Sequence, residues 1–207
     1  MVLNSRYCWL LAAVALTAGC GKQERIEAVQ FAQVLTGKKA DFSSANAIEK
    51  DLISNARAWS GGITANGAGR GAELDQNAAV AAELARNTVA VSSQLSQVRQ
   101  AIDSLPLKEE YPREVRDVLT TALTKRQRAL QEMRALLEQS ATQFLEFRQS
   151  KTYSGDTYPE GVGKLDKLLH DYMSPEDAVA AAIASLQEEY ELKDSDLSGK
   201  PQPPAGG

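Results

Sequence analysis

Histidine occurs once, at position 170, and cysteine twice, at positions 8 and 20. So thin a supply excludes multi-histidine metal centres and any site that needs two imidazoles. Aromatic residues make up 6% of the chain, which argues against a β-sandwich core or an aromatic-lined ligand pocket. A basic excess is also missing: 23 Lys and Arg stand against 27 Asp and Glu, a net charge of −4. Nucleic-acid binders normally carry a basic face, so none is expected as a partner. No apolar run approaches the ~20 residues that a membrane-spanning helix requires. What is present is 43% hydrophobic and 24% charged residues in 207, the composition of a globular chain with ample core.

Glycine clusters at residues 61–71, Gly-Gly-Ile-Thr-Ala-Asn-Gly-Ala-Gly-Arg-Gly. A phosphate cradle would close on Gly-Lys-Ser/Thr and follow a strand, and neither accompanies these glycines. They predict a flexible connector.

The first residues read as an address. Arg6 is the one charge before Lys22, an apolar stretch covers Tyr7 to Leu16, and small residues lead to Cys20. This is the layout of a secretory signal. Leu16-Thr17-Ala18-Gly19-Cys20 resembles the lipobox of bacterial lipoproteins, over the signal and the first mature residue only. The resemblance implies cleavage before Cys20 and acylation of that cysteine, palmitate being the expected type of chain. Several acyl chains hold a protein stably, each buried CH2 contributing about 0.8 kcal/mol. Cys8 would leave with the signal, so the mature chain would keep no free thiol for a disulfide, a metal or catalysis. Gly21 stands where an Asp would favour inner-membrane retention in the enterobacterial members, which points to the periplasmic face of an outer membrane.

The expected organisation is a signal over 1–19, an anchored tether over 20–24, a helical domain over 25–192 and a disordered Pro/Gly tail over 193–207. A first helix is expected to stop at Gly37 and a second to run from Ala45 to Trp59. The strongest pattern follows. Leu84, Thr88, Val91, Leu95, Val98, Ile102 and Leu105 step by alternate fours and threes, as do Leu119, Leu123, Arg126, Leu130, Met133, Leu137, Ser140, Phe144 and Phe147. Such spacing marks helices packed side by side. Pro106 and Pro112 bracket the break, so the pair should fold back as an antiparallel hairpin. A loop over Lys151–Gly163, a short helix over Lys164–Tyr172 and a last helix over Pro175–Leu192 complete the pattern. Ser174 is the expected cap of that last helix. The fold class is all-α: a helical bundle on a long, coiled-coil-like two-helix hairpin.

A hairpin closing near residues 105 and 112 sets Ser140 opposite Asn77 as a polar layer, and Arg126 near Val91 and Ser92. There Arg126 snorkels or meets an acid from another helix. His170 lies four residues after Asp166, but no third ligand or nucleophile accompanies the pair. Trp59 and Arg70 at the first loop, with Tyr153, Asp156 and Tyr158 on the second, are the candidate partner contacts. No catalytic or metal-binding set and no cofactor motif emerges. The expected function is that of an envelope lipoprotein, anchored through Cys20, which binds or scaffolds another envelope protein. The alternative is a carrier with a small apolar ligand between helices near Arg126 and Met133.

Overall fold

The computed structural model describes residues 21–172 and 177–198, and among these every regular element is a helix. They are α1 (Lys22–Asn66), α2 (Ala72–Asp103), α3 (Glu110–Gln149), α4 (Glu160–Asp171), α5 (Ala178–Tyr190) and α6 (Asp194–Leu197). No described helix is long and apolar enough to cross a membrane. The expected signal over 1–19 and Cys20 lie outside the described residues.

The chain divides into two units. In the first, the start of α1, the end of α2, the start of α3 and α5 enclose a core that includes Phe31, Leu35, Ile102, Leu119, Ile183 and Leu186. In the second, the remainder of α1, α2 and α3 joins α4 around Phe42, Leu52, Leu95, Leu130, Leu137 and Leu165. Among the described residues the second is thus a bundle of four helical segments, and the first adds the short α6 to four.

The alternating three-four stripe is the buried one. Thr88, Val91, Leu95, Val98 and Ile102 on α2 are inaccessible or nearly so, as are Leu119, Leu123, Leu130, Met133, Leu137, Ser140 and Phe144 on α3. α2 and α3 run antiparallel: Arg148 meets Asp75 and Gln127 meets Ser96 in the second unit, while Thr120 meets Asp103 in the first.

That register differs from the expected one by nearly two helical turns. Asn77 lies level with Glu146, and Ser140 with Glu83, so no Asn77–Ser140 layer forms. Ser140 donates to its own helix at the Leu136 carbonyl (2.7 Å). The turn comes earlier than a break bracketed by the two prolines: α2 ends at Asp103, the connection over 104–109 buries Leu107, and α3 begins at Glu110, which sets Pro112 in its first turn.

Several helix boundaries also differ from those the sequence predicts. α1 passes uninterrupted through Gly37, Gly61 and Gly62, where a helix end and a flexible loop were expected. A glycine inside a helix costs about 1 kcal/mol relative to alanine. Here tertiary burial outweighs it, because Phe31, Leu35, Phe42, Ala45, Leu52, Ala56 and Ile63 form one stripe along α1. Residues 160–163, expected in a loop, form the first turn of α4. The cap of α5 is Asp177, whose side chain accepts from Ala180 N (2.9 Å). Ser174 and Pro175 lie outside the described residues. Within the expected tail, Asp194–Leu197 is helical and Leu197 is buried, while residues 199–207 are not described.

Candidate functional site

One end of the second unit gathers most of the residues singled out as contacts. α1 closes at Gly67, whose N–H donates to Ile63 O (2.9 Å) and whose φ of +80° is the left-handed value that suits glycine. The second loop turns at Gly155 (φ +90°). These two glycines meet: a Cβ on Gly67 would lie 2.5 Å from the Gly155 carbonyl oxygen. Two hydrogen bonds fasten the loops there, from Ala68 N to Thr157 O (3.2 Å) and from Arg70 Nε to Ser154 O (2.5 Å). Arg70 N in turn donates to Glu73 on the first turn of α2 (2.9 Å).

Beneath the loops, Ile63, Ala68, Leu74, Ala78, Phe144 and Val162 form an apolar floor. Trp59 packs edge-on against Phe144 (5.9 Å) and donates to Asn77 Oδ1 (3.2 Å), whose Nδ2 donates to Ala68 O (3.1 Å). Asn77 therefore serves the loop end instead of the hairpin seam. Tyr153 stacks on Phe147 (4.5 Å) and donates to Thr157 O (2.7 Å). Partial burial raises the Tyr153 pKa, and the Asp156 carboxylate raises it further, against the hydrogen bonds and Arg70 that lower it. Asp156 and Tyr158 remain exposed, Tyr158 at 40%. Of the five expected contacts, Trp59 and Tyr153 build the platform, Arg70 ties it, and Asp156 and Tyr158 face solvent.

A second polar group lies inside the same unit. Glu49 on α1 is wholly buried. One of its carboxylate oxygens accepts the Tyr172 hydroxyl, and the other is ion-paired with Arg126 on α3, whose side chain is only 9% exposed. The guanidinium also sits over the Phe42 ring (5.1 Å). Arg57 holds the end of α4 beside it, donating to Leu169 O (2.7 Å) and Tyr172 O (2.7 Å). Both carboxylate oxygens are engaged, which makes the group a fastening between helices. Arg126 is thus paired with an acid from α1.

Sequence reading passed over Glu49, Tyr172 and Arg57. The available signal was an acid at the 42-45-49-52-56 spacing of α1, matching a base in the α3 seam. Around Met133, where an apolar ligand was expected, Leu130, Met133 and Leu137 are fully buried against their neighbours. An open groove of about 320 Å³ on the α2–α3 face is lined by Ala82, Ala85, Val89 and Ala141 among others. His170 is exposed, and Asp166 accepts instead from Ser60 Oγ (3.1 Å). No cluster of three or more metal-ligating side chains occurs among the described residues. Compared with known proteins, the chain matches no family model, no curated protein and no solved structure.

Proposed function

We propose that the protein is a bacterial envelope lipoprotein, anchored through acylated Cys20, that acts without catalysis by holding another envelope protein against its paired loops. The anchor rests on the Leu16–Cys20 segment, and Gly21 favours the periplasmic face of the outer membrane. One observation carries the partner-binding reading: the two glycine-turned loops are bonded to each other over an apolar floor and leave Asp156 and Tyr158 facing outward. A platform fixed in this way loses little conformational entropy on binding, and its exposed aromatic and carboxylate supply contact area and orientation.

Photocrosslinking in intact cells tests this reading. A photoreactive residue at position 158 or 156 is expected to capture one defined envelope protein, and Arg70→Ala is expected to reduce that capture by loosening the loops. In parallel, Cys20→Ala is expected to abolish incorporation of labelled palmitate and release the protein from the membrane fraction. Absence of an adduct at both loop positions, in folded and anchored protein, would remove the scaffold reading. Palmitate labelling unaffected by Cys20→Ala would remove the anchor.

A further inference from the structure

We infer that one end of the first unit, formed by the first turns of α1, the α2–α3 connection and the segment after α5, is a lipid-facing surface that lies against the bilayer. The inference rests on the acylation of Cys20 proposed above. It follows from how little chain separates that residue from the fold.

A tether through residue 24 was expected, yet α1 begins at Lys22, leaving Gly21 alone between Cys20 and the helix. Two extended residues reach at most about 7 Å. The polar layer on each side of a bilayer is of the same order, roughly 5–8 Å. With its acyl chains in the hydrocarbon, Cys20 therefore brings the first turn of α1 to the headgroups.

Other segments are pinned to those same turns and must share their position. Glu27 Oε2 accepts from Lys108 N (2.7 Å) and Glu109 N (3.0 Å), which fixes the α2–α3 connection beside α1. Arg25 Nε donates to Tyr190 O (3.5 Å), and the Tyr190 hydroxyl donates to Glu24 (3.0 Å). Arg25 also pairs with Asp196 (3.7 Å).

Two exposed apolar side chains mark this end. Ile26, 41% exposed, is about 6 Å along α1 from Lys22, and Pro106 is exposed in the connection. The segments that form this end carry charges of both signs, with acids in the majority: Lys22, Arg25, Lys108 and Arg113 stand against Glu109, Glu110, Glu114, Glu188, Glu189 and Asp194. Such a mixture gives no strong attraction to anionic headgroups, so the short tether and apolar contact hold the surface down.

The test uses full-length acylated protein in phosphatidylcholine vesicles that carry a nitroxide on the headgroup. Pro106→Cys and Ile26→Cys each supply a single free thiol for an environment-sensitive fluorophore. Val118→Cys, about 12 Å along α3 from Glu110, is the control. Emission is expected to be lost at 106 and 26 but not at 118, and adding phosphatidylglycerol should leave that difference unchanged. Labels at 106 and 26 that stay as bright as the label at 118, on protein whose N-terminal peptide carries the acyl mass, would overturn the surface alone. A peptide without that mass would overturn the anchor reading and this inference together. A blue shift without quenching would mean that protein covers this end, and would also overturn it.

Discussion

Glu49 and Arg126 pair across α1 and α3 in the interior of the second unit, with Tyr172 completing the carboxylate. Taking two charges out of water costs several kcal/mol per ion, which mutual attraction only partly offsets. Removing one partner strands the other. Arg126→Met or Glu49→Leu alone should therefore lower stability by about 3–5 kcal/mol. Changing Glu49→Leu, Arg126→Met and Tyr172→Phe together should recover most of that loss. Urea denaturation followed by circular dichroism measures it. A triple variant as unstable as the singles would show that the group contributes net stability beyond helix pairing.

The same group predicts an alkaline limit. Burial raises the Tyr172 pKa well above its ordinary value, and the Glu49 charge and hydrogen bond raise it further, while Arg126 opposes them. A folded-state pKa above the unfolded value of about 10 means that folding holds this proton more tightly. Its contribution is complete below pH 10 and is lost as pH rises beyond that. Tyr172→Phe should flatten the decline in stability above pH 10, although Tyr111, also raised first by burial, keeps some of it. Denaturation midpoints at several pH values check this, and an unchanged slope in the variant would refute it.

These residues also show what sequence can reveal. The stripes on α2 and α3 were legible because each seam position recurs locally, at alternate fours and threes. Register was not, since it depends on how the turn packs Leu107 and receives Glu27 from α1. Glycines were the other obstacle. Gly37 and Gly61 read as breaks, yet they lie in a helix whose opposite side is continuously apolar, whereas Gly67 does end it. Composition marks the two glycine-bearing loops on which the candidate contacts stand, and the structure brings those loops together. Their mutual bonding, and the Glu49–Tyr172 contact across 123 positions, are long-range facts with no local mark.

Glycine positions that look alike in sequence should respond oppositely to alanine. At Gly37 and Gly61 an added Cβ meets nothing within 4 Å, and both have ordinary helical backbone. Gly37→Ala and Gly61→Ala should each stabilise by about 0.4–1 kcal/mol, chiefly by restricting the unfolded chain. Gly161→Ala should do the reverse. Its Cβ would come 2.6 Å from Ser140 Oγ and 3.0 Å from Leu136 O, where α4 sits closely on α3. Such overpacking costs about 1–3 kcal/mol. Thermal melts of the three variants suffice, and a stabilised Gly161→Ala would mean that α4 packs less tightly than described.

Glu27 is buried on α1 yet serves another helix. Its carboxylate accepts the backbone N–H groups of Lys108 and Glu109, immediately before α3, where donors are unsatisfied and negative charge is favoured. It does the work of a capping side chain from a distant part of the sequence. Glu27→Ala should cost about 1–2 kcal/mol, the upper range for loss of a cap. Glu27→Gln keeps an acceptor oxygen but loses the charge, and should cost less. The two variants differ in a second readout. Hydrogen exchange at residues 108 and 109 should quicken with alanine and stay partly protected with glutamine, while amides deep in α3 change little. If exchange there is the same in all three proteins, the connection is held by Leu107 burial alone. In that case Glu27 is a buried acid without a stabilising role.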